Sequence, residues 1–207
     1  MTYWTEDDFN VFTIEGLENR MTALQQQIQP KFRELGELYS ATLSAHGLGE
    51  FHPHVAKHAR RTVNPPSDSW VAFAPSKRGY KALPHFQIGL WDDRLFITLV
   101  VIYENTKKRE ISETLTKHPK VITNLPEHFI MSGDHTKKPS DSLQSLGESG
   151  IEALITRLHD VKSAELVIGV SLTAKEACQL SKTQFFDLVH KTFEQLMPLY
   201  RLYINTP

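Results

Sequence analysis

Six basic side chains, Lys57, Arg60, Arg61, Lys77, Arg78 and Lys81, fall within 25 residues that contain a single acid, Asp68. Guanidinium forks and ammonium groups suit the oxygens of phosphates and carboxylates. Gly79 would let a ligand come close to the backbone, while Tyr80, His85 and Trp70 present flat faces for a ring or base. The turn-rich segment PSKRGYKALPH, between two strand-like runs, is therefore the expected binding surface. In that reading Arg60, Arg61, Lys77, Arg78 and Lys81 hold an anion, and Tyr80 or His85 stacks beside it. A solvated charged loop would carry the same residues, and the formal net charge of −1 permits that alternative.

The ten histidines raise the question of a metal. His52, His54 and His58 would share one face of a strand, or His54 and His58 one turn of a helix. Such spacings occur in two-histidine metal sites, which also need a third ligand and usually a carboxylate. No HExxH occurs, and no acid lies between Glu50 and Asp68. The expectation is no metal and no cofactor, with no stoichiometric zinc, nickel or iron at His52–His58. Asp134-His135-Thr136-Lys137-Lys138 reads as a second positive patch or simply as exposed chain.

Nucleophilic chemistry has less support. Cys178 is the single cysteine, so no intramolecular disulfide and no cysteine-based zinc site can form. It sits in a short helical segment, where a structural thiol is the common case. Asp92 and Asp93 are adjacent, so on a strand they point to opposite faces and more naturally end a hairpin. There is no GxSxG, GxGxxG or P-loop. No catalytic residue is assigned. An enzyme acting on a small phosphorylated substrate stays open, and would need His54, His58 or His85 facing the basic groups. A protein-interaction module also stays open, through an exposed apolar patch around Trp4, Phe9 and Phe12.

The elements that would position these residues follow from periodicity. Leu17, Met21, Leu24, Ile28, Phe32, Leu35, Tyr39 and Leu43 form one helical stripe, with Pro30 kinking it or starting a second helix. Phe9 to Ile14 reads as a short strand or a docking segment. His52 to Thr62 leans towards a strand, paired as a hairpin with DSWVAFA from Asp68. Phe86 to Trp91 and Leu95 to Tyr103 make a second hairpin, turned at Asp92 and Asp93. Both faces of its second strand are apolar, the mark of an interior strand. Short helices follow around Ile111–Leu115 and Val121–Leu125, then a strand at Phe129–Met131. Residues 132–147 are polar and read as a long loop. A helix capped by Ser149 and Glu152 is next, then a buried strand from Leu166 to Leu172. Thr173 and Glu176 cap a short helix, and Ser181 and Gln184 cap the last, which is expected to kink at Pro198. Clustered strands followed by alternation give an α+β domain, a mixed and mostly antiparallel sheet of about six strands packed against the N-terminal and C-terminal helices.

A chain of 207 residues with 40% apolar and 23% charged residues fits one globular domain, here expected to span 1–207. Its pI of about 6.8 argues against a general nucleic-acid binder, so only the local basic patch would support such a partner. The acidic N-terminus lacks the pattern of a signal peptide, and the longest apolar run is too short to span a bilayer. The expectation is a cytoplasmic protein with no membrane partner; its partner would be a phosphate-bearing small molecule or a nucleic acid.

Four stretches carry a family likeness: GLENRMTALQQQIQPKFRELGELY (16–39), HVAKHARRTVNPPSDSWVAFAP (54–75), RGYKALPHFQIGLWDDRLFI (78–97) and AELVIGVSL (164–172). In these, long and in order, the whole chain resembles the YktB-like family of uncharacterised bacterial proteins, found mainly in Gram-positive bacteria. The resemblance implies a compact single α+β domain and an intracellular protein. It brings no activity, cofactor or catalytic residue.

Overall fold

Period-two alternation between residues 68 and 101 becomes three strands in the computed structural model, which describes residues 1–138 and 141–206. These are β2 (Asp68–Ala74), β3 (His85–Trp91) and β4 (Arg94–Val101). With β1 (His52–Val55), β5 (Ile130–Ser132) and β6 (Leu166–Thr173) they form a six-stranded sheet in the order β1-β2-β3-β4-β6-β5. Both edge strands pair antiparallel with their neighbours. The α+β expectation of a mostly antiparallel sheet with helices from both ends of the chain holds. β4 is interior and all but wholly buried, as its two apolar faces require. Gly169 of β6 is dictated by the packing: a Cβ there would sit 2.1 Å from the Ile97 carbonyl oxygen.

The chain forms two compact units. The first comprises Met1–Arg78, Gln87–Phe96 and Leu172–Val189. Its N-terminus is helical where a strand was one expectation: α1 spans Glu6–Asn10, followed by a 3-10 turn, Val11–Thr13. The signal was Thr5-x-x-Asp8, in which the Asp8 carboxylate accepts from the Thr5 N–H at 2.8 Å. Trp4, Phe9 and Phe12 are no more than 4% exposed, so the apolar surface patch expected there does not form. Trp4 lies against Phe32 and Phe185 instead.

The helical stripe appears as α2 (Leu17–Ala23), a π-helical turn (Leu24–Ile28) and α3 (Gln29–Ser44). Pro30 falls in the first turn of α3, where its missing N–H costs nothing. Leu24, Ile28, Phe32, Leu35 and Leu43 are wholly buried, and α3 packs on β1 and β2. The strand expected over 52–62 stops at Val55. His58 adopts φ +50, and Arg61 N–H donates to His58 O at 2.9 Å, turning the chain out of the sheet.

The second unit comprises Gly79–Phe86, Ile97–Ser171 and His190–Pro207. It holds α4 (Lys108–Lys117), α5 (Lys120–Thr123), α6 (Leu143–Asp160) and the later turns of the last helix. The polar loop expected over 132–147 ends at Ser142, whose hydroxyl accepts from Ser145 N and opens α6; residues 139 and 140 of that loop lie outside the described residues. Gly147, at φ +59, interrupts α6, which is why the capping signal was read a turn late at Ser149. Two caps fall where the sequence placed them. Thr173 and Glu176 bond reciprocally at α7 (Ala174–Ala177), and Ser181 and Gln184 do so at α8 (Lys182–Ile204). α8 runs on through Pro198. No helix among the described residues is long and apolar enough to cross a membrane.

Candidate functional site

The expected basic surface is divided between the two units. Arg60, Arg61, Lys77 and Arg78 belong to the first and are exposed; Tyr80, Lys81 and His85 belong to the second. Lys81 is paired with Glu104 at 3.2 Å. His85 is wholly buried, its Nδ1 2.8 Å from the Leu83 carbonyl and its ring 4.7 Å from that of Tyr80. Burial corrects the expectation that His85 offers a stacking face; Tyr80 and Trp70 retain partial exposure.

The histidines of the β1 region take backbone and side-chain partners. His54 Nε2 lies 2.8 Å from the Ser76 carbonyl, and His58 Nε2 lies 3.1 Å from Ser69 Oγ with its ring edge-on to Trp70. Burial, aided by the Arg61 charge, pulls the His58 pKa down to about 4. His52 faces Glu50, the acid that flanks this cluster, at 3.8 Å. Cys178 is half-buried, and burial together with the Glu6 and Asp8 charges raises its thiol pKa, away from nucleophilic reactivity.

A different cationic surface occurs in the second unit. The end of α4, α5 and the last turns of α8 enclose a cleft of about 610 Å³. Lys117, Lys120 and Arg201 bring cationic side chains to it, and His118 adds an imidazole. Pro119, Val121, Pro198 and Leu202 supply apolar walls, and no carboxylate is among the described lining residues. Both α4 and α8 end here, and two helix C-termini bring about one negative charge in total, as roughly half a charge each. Three cationic side chains meet those two helix ends.

The second unit also holds a buried carboxylate with an imidazole partner. Glu165, 4% exposed, precedes β6, and its Oε2 accepts from His135 Nδ1 at 2.5 Å and from His135 N–H at 2.8 Å. Oε1 receives only a long contact of 3.4 Å from the Tyr103 N–H. Burial pushes the Glu165 carboxyl up, but the donors from His135 and Tyr103 outweigh it and hold the group below the ordinary range. Asp134 is fixed beside them in an Asx turn, its Oδ1 accepting from Thr136 N–H at 2.9 Å and Thr136 Oγ1 at 2.6 Å. The Thr136 donors, set against a smaller effect of burial, lower its pKa. One ligand atom from each of Asp134, His135 and Glu165 lies within 4.8 Å of the others.

Residues 4–200 match the family described as domain of unknown function DUF1054. The chain belongs to this DUF1054 family. It is 49% identical over 202 residues to a UPF0637 protein of Lysinibacillus sphaericus, covering 98% of this chain and 96% of that protein. A UPF0637 protein of Exiguobacterium sibiricum is 43% identical over 200 residues, with 97% and 98% covered, and one of Macrococcus caseolyticus is 45% identical over 198 residues, with 96% and 98% covered. The YktB-like resemblance and its Gram-positive distribution agree with these matches.

In this DUF1054 chain the sequence reading missed both features of the second unit. The cleft joins residues 117–121 to residues 198–205, and no motif spans that separation. Asp134-His135 was noticed as a positive patch, but Glu165 and Asp134 reverse its character: His135 pairs with the first, and Lys137 stands 3.7 Å from the second. The available signal was Glu165 itself, an acid entering a run of buried strand residues, a placement that calls for a partner.

Proposed function

We propose that this protein binds a small organic anion, a phosphate- or carboxylate-bearing molecule with an apolar body, in the cleft formed by α4, α5 and the end of α8. One observation carries the reading: Lys117, Lys120 and Arg201 line a single cavity that has apolar walls and no lining carboxylate among its described residues. Arginine and lysine match oxyanions in charge and in donor geometry. A cavity of about 610 Å³ is in the size range of small-molecule sites. The net charge of −1 favours a small ligand over an extended nucleic acid.

The test is a thermal-shift screen of nucleotides, phosphosugars and short oligonucleotides at low salt. It is run on the wild type, on Lys120→Ala/Arg201→Ala and on Arg78→Ala/Lys81→Ala. A ligand at a hundred times its Kd should stabilise the wild type by about 2.7 kcal/mol. The effect should vanish in the first double variant and persist in the second. Loss in the second alone would move the site to the basic segment around Arg78. No stabilisation by any compound would remove anion binding from both places. A steep fall of affinity with salt, confined to oligonucleotides, would identify a nucleic acid instead.

A further inference from the structure

We infer that Asp134, His135 and Glu165 form a binding site for one divalent transition-metal ion, separate from the cationic cleft. The chemistry of the three donors sets the class: one imidazole nitrogen and two carboxylate oxygens suit zinc, manganese or nickel, and with three protein ligands the remaining positions go to water or a small ligand. The three ligand atoms already lie within 4.8 Å of one another, so a central ion reaches all of them through small side-chain rotations.

Three further features favour an ion here. The carboxylates are held in place before any ion arrives, Asp134 by Thr136 N–H and Oγ1 and Glu165 by His135 N–H, as supporting hydrogen bonds do around metal ligands. Glu165 makes its two short contacts through Oε2, while Oε1 has only the 3.4 Å contact with the Tyr103 N–H. His135 and Asp134 are 24% and 39% exposed, so the buried Glu165 is approached from solvent through them. Binding would put the metal on His135 Nδ1 in place of the proton shared with Glu165 Oε2, and in a neutral ring that proton moves to Nε2. Lys108 stands on the buried side, its ammonium held by the carbonyls of Val161, Lys162 and Ala164 at 2.6, 2.7 and 3.1 Å. Its charge acts on Glu165 without a direct bond, and Lys137 Nζ stands 3.7 Å from Asp134, so two ammonium groups face the two carboxylates.

The experiment loads chelator-stripped full-length protein with zinc or manganese chloride and measures binding by calorimetry. The wild type should bind one ion per chain. Asp134→Asn and His135→Gln, both at partly exposed positions, should each weaken binding at least tenfold. His52→Ala, at another histidine beside an acid, should change nothing. Absence of stoichiometric binding in the wild type overturns the proposal, as does binding lost in His52→Ala and kept in the other two. Wild-type crystals soaked in manganese give a reading free of any folding defect in a variant. An anomalous peak within bonding distance of all three side chains supports the site, and a peak elsewhere or none overturns it.

Discussion

Asp8 in the first unit and Glu165 in the second are both carboxylates withdrawn from water, 1% and 4% exposed. They differ in where their donors come from. Asp8 Oδ2 accepts from Lys31 Nζ at 2.5 Å, from Thr5 N–H at 2.8 Å and from Thr5 Oγ1 at 3.0 Å, while Oδ1 accepts from Gln27 Nε2 at 3.2 Å. Lys31 in turn donates to the Tyr3 carbonyl at 2.8 Å and stands 5.2 Å from the centre of the Trp4 ring. Four donors from two segments of chain, the N-terminal stretch and the helical run that carries Gln27 and Lys31, therefore converge on one carboxylate, which is the arrangement of a clasp. Glu165 has its two short contacts from a single residue, His135, in a surface turn. A partner supplied by one surface residue can be exchanged for an ion; four donors that lock the N-terminal stretch onto a helix cannot. Burial alone does not separate structural from functional charge, whereas the number of short donors that hold the charge does.

The strongest way to break this contrast is to remove the Asp8 carboxylate. Asp8→Ala leaves the Lys31 ammonium, the Thr5 N–H and the Gln27 amide without their acceptor. Deleting one partner of a buried ion pair costs about 3–5 kcal/mol, and the 26% exposure of Lys31 puts this case near 3. Urea denaturation should show a lower midpoint with the slope unchanged. A loss under about 1 kcal/mol would reduce the clasp to an ordinary surface pair. His135→Gln, which leaves Glu165 a hydrogen-bond partner, should cost far less.

His58 sharpens the contrast through pH. Its ring stays neutral in the folded chain down to about pH 4, but takes a proton near 6.5 once unfolded. Between those values the unfolded state binds more protons, so stability falls as pH drops from 6.5 towards 4 and is fully present above 6.5. Partial exposure of the ring limits the total to about 2 kcal/mol. His58→Asn suits the left-handed backbone at this position and carries no ionisable ring. The difference between the two proteins' melting curves should therefore shrink steadily from pH 7 to pH 4. Parallel curves would mean the ring does not titrate on unfolding.

Much of the sheet was legible because its signals are local. Phe86 to Trp91, Leu95 to Val101 and Leu166 to Leu172 alternate or run apolar over a strand's length, and the caps at Thr173 and Ser181 each need only four residues. The misses came from conformations that side-chain pattern does not encode. His58 turns left-handed and ends β1; Gly147 bends α6 within its own first turns; Thr5-x-x-Asp8 lies ahead of an apolar run that also reads as a strand. The candidate sites were less legible for a further reason. Density of charge along the chain marked residues 57–81, but the cleft gathers its cations from positions some eighty residues apart, and Glu165 meets His135 across thirty.

The smallest expected effect tests where the clasp ends. Glu34 accepts from Tyr3 Oη at 3.0 Å and from Lys182 Nζ at 2.6 Å, so the network around Asp8 extends towards the surface through Tyr3. The Lys182 contact, with a smaller opposing effect of burial, lowers the Glu34 pKa. Glu34 and Lys182 are 46% and 54% exposed, and an exposed pair contributes about 0.2–1 kcal/mol. The Lys182 ammonium also lies 5.3 Å from the Phe186 ring centre, a cation–π contact worth about 0.5–1 kcal/mol at an exposed site. Lys182→Ala should thus cost about 1 kcal/mol at low salt. In 1 M sodium chloride the Debye length shrinks to about 3 Å, and the ion-pair share of that loss should fade. A loss above about 2 kcal/mol that salt leaves untouched would place Lys182 inside the clasp, which would then reach beyond the donors bonded to Asp8.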